Sequence, residues 1–179
     1  AVVALVHRVG RHMTTTNRAR VAGALAALHP GLIMYSAVVM TELLGALCLL
    51  GTAWAALAIR HPGARLVASG VLFGCGALVR PSSLLVLPAL AFCTGRGFWQ
   101  KVWHTAVIGL VGLLVILPWT VRNCRVMDGC ALISTNGGWN LAIGALTDTG
   151  RFRTLRAADG CPVVTGQVQQ DRCWAERGR

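Results

Sequence analysis

The chain has 179 residues, of which 55% are apolar and only 13% are charged. This charged share is about half that of an average soluble domain, so the composition excludes an ordinary soluble protein. A net charge of +11 is typical of nucleic-acid binding, but residues 21–59 carry no Lys or Arg and a single acid, Glu42. That distribution is typical of a membrane protein, and we expect no nucleic-acid partner.

Long apolar runs predict an all-α, polytopic transmembrane helical bundle, because about 20 apolar residues span the hydrocarbon layer as a helix. Residues 1–6 are predicted to be the remnant of a helix that arrives at the cytoplasm. The chain begins within this helix and has no initiator Met, so we expect a fragment of a larger protein. We expect about five further crossings in the transmembrane region 1–121, at residues 21–40, 41–59, 66–79, 82–95 and 103–121.

Basic residues predict the orientation, because Lys and Arg concentrate in cytoplasmic loops. The segments 66–79 and 82–95 are each short for a crossing. However, an even number of crossings must separate two neighbouring cytoplasmic clusters, so these segments are predicted to go out and come back, with Arg80 and Pro81 at the outer turn. Residues 122–179 are then extracytoplasmic, and the protein is predicted to be a multi-pass protein of the plasma membrane. The basic residues of the three cytoplasmic clusters are Arg8, Arg11, Arg18 and Arg20, then Arg60 and Arg65, then Arg96 and Lys101.

Glu42 is the one acid among residues 1–127 and is predicted to lie near the outer membrane face. Ionisable residues at such depth are costly and are functional candidates. The alternatives are a carboxylate that reaches the headgroups, or a helix cap formed with Thr41. Arg80 lies on the same face and is a candidate for gripping a lipid phosphate, with headgroup anchoring as the alternative.

Polar groups beyond the last crossing form two further candidate sites. Arg122 and Asn123 are predicted to present a polar cluster to the outer surface, for substrate or for anchoring. Residues 133–144 are predicted to be a loop rich in amides and glycine. There Trp139 would stack on a sugar ring, with Asn136 and Asn140 as hydrogen-bonding partners; a plain Asn-Gly-Gly turn is the alternative.

The cysteines and glycines add structural predictions. Cys124, Cys130, Cys161 and Cys173 lie in the outer segment, where disulfides form, and all three pairings of these four stay open. Cys48, Cys75 and Cys93 lie in apolar runs and are predicted to be inert. Gly70 and Gly74 are spaced for close helix packing, and residues 167–177 are predicted to form a short interfacial helix.

The motifs, taken together, resemble the bacterial protein-mannosyltransferase-like glycosyltransferases of the GT-C fold. Two of them, Pro-Trp-Thr-x-Arg-Asn and Ser-Thr-Asn-Gly-Gly-x-Asn-Leu, are fairly specific. The resemblance covers about residues 5–177, although Ala145-Leu146 departs from the Asn-x-Pro that often follows in this family. Its elements are His29-Pro30 to Tyr35-Ser36, Thr41-Glu42, Ala77-Leu78-Val79-Arg80-Pro81-Ser82, Leu117-Pro118-Trp119-Thr120-Val121-Arg122-Asn123 and Ser134-Thr135-Asn136-Gly137-Gly138-Trp139-Asn140-Leu141.

The resemblance implies transfer of a sugar from a polyprenyl-phosphate donor to an acceptor glycan, lipid or protein at the outer face. In such enzymes an outer-loop Asp upstream of this region is the base, so no catalytic base is expected here and the fragment is expected to be inactive. Glu42 matches an acidic position that faces the active site, Arg80 and Arg122 are candidates for the carrier phosphate, and a divalent metal is possible. The alternatives are a transporter fragment that uses Glu42 and Arg80, or a non-catalytic membrane remnant.

Overall fold

The computed structural model describes residues 1–38, 40–95, 97–146, 155–156, 159–161 and 166–179, without the side chains of residues 91–93. Within these ranges the chain forms helices and no strand, which confirms the all-α fold. The chain divides into two compact units, Ala1–Ile116 and Leu117–Arg179. The helices are Val2–Met13 (α1), Thr16–Leu28 (α2), Pro30–Ala37 (α3), Thr41–Ala58 (α4), Pro62–Val79 (α5), the 3₁₀ helix Pro81–Cys93, Phe98–Val126 (α6), Gly137–Ala145 (α7) and Gln167–Arg177 (α8).

In the described part of the chain, three helices are long and apolar enough to cross a membrane, namely α4, α5 and α6. The expected crossing 21–40 is not one helix, because the chain breaks between α2 and α3 at His29-Pro30. Proline has no N–H and is favoured at the first position of a helix, and the His29 ring accepts a hydrogen bond from the Leu32 N–H at 3.3 Å. His61-Pro62 starts α5 in the same way, with the Ala64 N–H as donor.

The packing of α4 on α5 is antiparallel. A Cβ added at Gly76 would lie 3.1 Å from Cys48 Cβ, whereas one at Gly51 would lie 3.4 Å from a Leu72 methyl group. Residue numbers along α4 therefore increase in the direction in which those along α5 decrease. Gly45, near the start of α4, lies against the Arg80 side chain at the end of α5. The start of α4 is therefore next to the end of α5.

The packing of α5 on α6 is parallel, and it is closest at the two glycines that the sequence singles out. A Cβ at Gly70 would meet Val111, and one at Gly74 would lie 2.8 Å from the Gly112 carbonyl oxygen. The small-residue pair thus packs α5 against α6, as predicted. Two parallel neighbours need a connection that returns across the layer.

The 3₁₀ helix Pro81–Cys93 makes this return, where an α-helical crossing at 82–95 was expected. At about 2.0 Å per residue, its 13 residues reach about 26 Å, against about 20 Å as an α-helix. Pro88 has no N–H to continue an α-helical ladder. Leu90 of this segment packs with Phe73 and Ile108 in the core of the first unit.

In the first unit, the basic clusters and the Glu42–Arg80 pair lie at different ends of the helices. The α1–α2 turn, the α4–α5 turn and the start of α6 bring together the predicted cytoplasmic residues, except Arg96, which lies outside the described residues. Glu42, at the start of α4, and Arg80, at the end of α5, lie together at the other end of these helices. The inside–outside orientation itself stays a prediction.

The second unit is built on α7 packed against α8. Trp174 of α8 is 1% exposed and lies in a core with Ala142 of α7 and Leu155. Helix α8 occupies the predicted span 167–177. Residues 137–145 form a helix and not the expected loop, because a carboxylate from α8 binds the first N–H groups of α7.

Disulfides join near neighbours in the second unit. Cys124 pairs with Cys130, and Cys161 pairs with Cys173. The structure thus selects one of the three pairings that the sequence left open. Cys48 and Cys75 are free thiols in the first unit, and the side chain of Cys93 lies outside the described residues.

Candidate functional site

Glu42 and Arg80 form an ion pair in the first unit, with 2.8 Å between Glu42 Oε1 and Arg80 Nη1. The Arg80 side chain is 43% exposed and the Glu42 side chain 32% exposed, so both charges are half-buried. The sequence placed both residues on one face of the membrane, and the structure brings them into contact.

Helix geometry stabilises each charge. Glu42 lies in the first turn of α4, where the positive end of the helix dipole favours an acid, and Arg80 is the C-cap of α5, where the negative end favours a cation. The cap of α4 is Met40, so Glu42 is not the helix cap that was an alternative. The pair is therefore favoured before any ligand binds.

Gly45 makes room for the Arg80 side chain. It lies one helical turn after Glu42, on the same face of α4. A Cβ at this position would lie 3.3 Å from Arg80 Cδ and 3.4 Å from Arg80 Cγ. The absence of a side chain lets the aliphatic part of Arg80 lie across α4 and reach the carboxylate.

The second carboxylate oxygen, Glu42 Oε2, is buried and has no hydrogen-bond partner among the described residues. Buried polar atoms are normally paired, and an unpaired one is unfavourable by about 1–3 kcal/mol. This oxygen keeps an unused acceptor position beside the Arg80 guanidinium.

The described residues provide no group of three His, Cys, Asp or Glu side chains that would hold a metal ion. Glu42 Oε1 contacts a cation already, and Oε2 alone is one donor where a divalent cation takes several. Glu42 by itself therefore does not fit a divalent-metal site.

Arg122 and Asn123 lie on the last turns of α6 in the second unit, and their environments differ. The Arg122 guanidinium lies 5.0 Å from the centre of the Trp119 ring and donates a 3.2 Å hydrogen bond to Asn123 Oδ1. Asn123 is 1% exposed, so the prediction that it lies at the outer surface is wrong. Its amide donates to the carbonyl oxygens of Ala131 and Ile133, both at 3.2 Å.

The Pro-Trp-Thr-x-Arg-Asn motif therefore fastens the segment that follows α6. Trp119 Nε1 donates to the Ile133 carbonyl oxygen at 2.9 Å, and Thr120 Oγ1 donates to the Leu132 carbonyl oxygen at 2.7 Å. Together with Asn123 these side chains satisfy a run of backbone acceptors that no strand or helix would satisfy.

Asp171 of α8 caps α7. Its Oδ1 accepts hydrogen bonds from the N–H groups of Gly138 at 2.7 Å and Trp139 at 3.2 Å. A carboxylate at a helix N-terminus satisfies orphan donors and favours the dipole. Gly138 is needed here, since a Cβ would collide with the Asp171 backbone.

A polar cleft of about 210 Å³ lies between α7 and α8. This volume holds several water molecules. Trp139 packs edge to face on Trp174, with 5.6 Å between ring centres, and is half-buried. Asn140 is exposed on α7 and does not line the cleft, so the structure brings together two of the three residues predicted here. The lining residues are Thr135, Asn136, Trp139, Gln167, Gln170, Asp171 and Trp174.

Asp128 caps α8 as Asp171 caps α7. The Asp128 carboxylate accepts hydrogen bonds from the N–H groups of Val168 at 3.0 Å and Gln169 at 2.9 Å. These bonds, first that from Val168 and then that from Gln169, hold the pKa of Asp128 below its ordinary value, because they stabilise the charged form.

Sequence reasoning did not assign roles to Gly45, Asp128 or Asp171. The two aspartates act on backbone N–H groups that are distant in sequence, so no local motif reveals them. The sequence contains one indication for Gly45, which is its spacing of three residues from Glu42.

One sequence family matches the chain. The profile described as dolichyl-phosphate-mannose-protein mannosyltransferase matches residues 1–121, which contain Glu42 and Arg80. The chain belongs to this family. Membership makes it a membrane protein of a glycosyltransferase family that takes sugars from polyprenyl-phosphate carriers. No curated protein and no solved structure matches the chain.

The family match ends at residue 121. Arg122 and the α7–α8 cleft therefore lie outside the matched residues, and their assignment depends on the geometry of the second unit.

Proposed function

We propose that the chain forms part of an enzyme that transfers a sugar from a polyprenyl-phosphate carrier to an acceptor at the outer face of the plasma membrane. The family supports the reaction class. The observation that supports the site is the Glu42–Arg80 pair, since it joins the one acid of residues 1–127 to a guanidinium at the end of the bundle away from the basic loops.

Arg80 is proposed to bind the carrier phosphate. A guanidinium has five N–H donors, and the ion pair with Glu42 uses one end of it. The others can donate to phosphate oxygens in bidentate geometry. As the bond from the anomeric carbon to the phosphate oxygen breaks, negative charge grows on that phosphate, and a fixed guanidinium stabilises it.

Glu42 is proposed to position Arg80 and to accept a hydrogen bond from a substrate hydroxyl at Oε2. A hydroxyl donor would satisfy the buried oxygen that has no partner among the described residues. By resemblance the base that deprotonates the acceptor is an outer-loop Asp upstream, and we expect the chain alone to be inactive.

The outer segment is proposed to contact the sugar-bearing substrates. Arg122 is the candidate there for the carrier phosphate, with Asn136 and Trp139 in the α7–α8 cleft and Asn140 on the exposed face of α7. A divalent metal stays a prediction from the resemblance, and chelation followed by metal add-back would test it.

The test is sugar transfer by the full-length enzyme with polyprenyl-phosphate donors. Glu42→Gln and Arg80→Gln are each expected to lower kcat/KM by about 10²–10³-fold, the effect of losing a transition-state electrostatic contact. Arg18→Gln, an exposed charge at the opposite end of the bundle, is the matched control and should keep wild-type turnover. Wild-type turnover in Glu42→Gln would remove Glu42 from the site.

A further inference from the structure

An open cavity lined partly by basic side chains lies in the first unit, at the end away from Glu42 and Arg80. It has a volume of about 370 Å³. We call it the basic pocket, and it is lined by Arg8, Arg11 and His12 of α1 and by Trp54 and Ala58 of α4.

The pocket forms because α1 and α4 bring their C-terminal ends together. Arg11 and His12 lie in the last turn of α1, where the negative end of the helix dipole favours cations. The walls are therefore two helix ends: α1 contributes the basic side chains of the lining, and α4 contributes Trp54 and Ala58.

The basic pocket has no acidic partner within the first unit, whose one acid is Glu42. Residues 1–41 contain no acid, and Glu42 is paired with Arg80. In the described ranges, neither Arg8 nor Arg11 forms a salt bridge. Two guanidiniums at one cavity repel each other, so an anion between them would be stabilising.

The position of the pocket indicates which anion. Trp54 lies one turn before the last residue of an apolar helix that is long enough to cross the membrane, and Trp is enriched at headgroup depth. Arginine pairs bind phosphate in bidentate geometry, and basic pockets between transmembrane helices on the cytoplasmic side bind anionic headgroups.

We propose that the basic pocket binds the phosphate group of an anionic phospholipid at the cytoplasmic face. Arg8 and Arg11 bind the phosphate oxygens, and Trp54 packs at the glycerol level. This site is separate from the carrier-phosphate site proposed at Arg80, so a result at one site does not decide the other.

The charge at this end offers a matched control. Arg18 and Arg20 of α2 belong to the same cytoplasmic cluster but do not line the pocket. If basic residues here act only as a general charge, removing either pair should weaken lipid binding equally.

The experiment measures binding of short-chain phosphatidylglycerol to the purified chain in neutral detergent. Arg8→Gln/Arg11→Gln is expected to weaken binding by about tenfold or more, and Arg18→Gln/Arg20→Gln by less than about twofold. Equal losses in the two double variants would overturn the proposal. All four positions are exposed, and circular dichroism would verify that helicity is unchanged.

A second variant tests the cavity without changing charge. Ala58→Leu fills the pocket and is expected to weaken phosphatidylglycerol binding by about tenfold, whereas unchanged binding would contradict the assigned location. Phosphatidylcholine binding of equal strength would contradict recognition of an anion.

Inorganic phosphate distinguishes the source of the anion. Millimolar phosphate is expected not to displace the lipid. If phosphate alone binds with the same dependence on Arg8 and Arg11, and the lipid gains nothing over it, the pocket belongs to a soluble anion and the lipid assignment is wrong.

Discussion

Arg80 Nη1 lies 2.8 Å from Glu42 Oε1, and the two residues come from the helix ends whose dipoles favour their charges. Antiparallel packing of α4 on α5 is what brings those ends together. The polar site is thus preorganised by two apolar helices that contact each other along most of their length.

Gly45→Val tests whether the position of Arg80 matters when both charges are kept. The new side chain would occupy the space of the Arg80 stem, since even a Cβ would lie 3.3 Å from Cδ. We expect kcat for sugar transfer by the full-length enzyme to fall by about tenfold or more, as misplacement of a positioned group does. Gly51→Val on the same helix meets a Leu72 methyl group and should keep more activity. Equal loss in both variants would indicate a general effect on α4.

Gly74→Ala tests the α5–α6 contact. Alanine in a helix is normally more stable than glycine by about 1 kcal/mol, but a Cβ here would lie 2.8 Å from a carbonyl oxygen of α6. We expect a loss of about 1–3 kcal/mol in the free energy of unfolding in detergent. Gly144→Ala, with nothing within 4 Å, should show no loss, and a stabilised Gly74→Ala protein would refute the close packing.

Asp171→Ala tests the cap on α7. It removes both hydrogen bonds to the first N–H groups of the helix, so α7 should be less stable by about 1–2 kcal/mol. Hydrogen exchange of the α7 amides in the full chain measures this change. Glu176→Ala, an exposed acid on the same helix, is the control and should leave exchange unchanged. Unchanged protection in Asp171→Ala would show that the cap contributes nothing.

The stability of α8 should depend on pH through Asp128. Its pKa is lower in the folded chain than in the unfolded chain, so the folded state is favoured when the carboxyl is charged. This contribution is complete above the ordinary value of 3.8 and is lost as the pH falls through the lowered value. Hydrogen exchange of α8 amides between neutral and acid pH measures the loss.

Asp128→Asn is the matched variant, since it keeps the size of the side chain and cannot ionise. Its α8 amides should already be less protected at neutral pH and should lose less on acidification. An acid response identical to that of the wild-type chain would mean that another group produces it.

The disulfide between Cys161 and Cys173 should stabilise the second unit. The chain-entropy relation for its sequence separation of 12 gives about 3 kcal/mol. Cys161→Ala/Cys173→Ala is therefore expected to lower the unfolding free energy by this amount, while Cys48→Ala, a free thiol, should change it little. Peptide mapping without reductant would verify the pairing, and a link from Cys124 to Cys161 or Cys173 would contradict it.

Much of the first unit could be predicted from hydropathy and charge. Apolar runs located α4, α5 and α6, and the glycines at positions 70 and 74 located a helix contact. The break at His29-Pro30 was missed because hydropathy continues through it, although proline after a capping residue is a local start signal. The 3₁₀ conformation of Pro81–Cys93 depends on the distance between the end of α5 and the start of α6. No local sequence pattern indicates that distance.

The contacts of the candidate site could be predicted only in part. Glu42 and Arg80 stand out as candidates because charges are rare in apolar sequence, whereas their contact depends on the antiparallel pairing of two helices. Asn123 was placed at the outer surface because it directly follows the last predicted crossing, whereas its side chain binds carbonyl groups of a segment that folds back. Helix α7 was taken for a loop because its stabilising carboxylate, Asp171, comes from the far end of the chain.

The 3₁₀ helix between α5 and α6 changes how sidedness should be counted in sequences of this kind. A search for apolar windows of α-helical length passes over these 13 residues and omits the return from the end of α5 to the start of α6. Without that return, every later segment is assigned to the side opposite to the predicted one, including four cysteines that would be treated as reduced. Counting reach in ångströms rather than residues avoids this inversion.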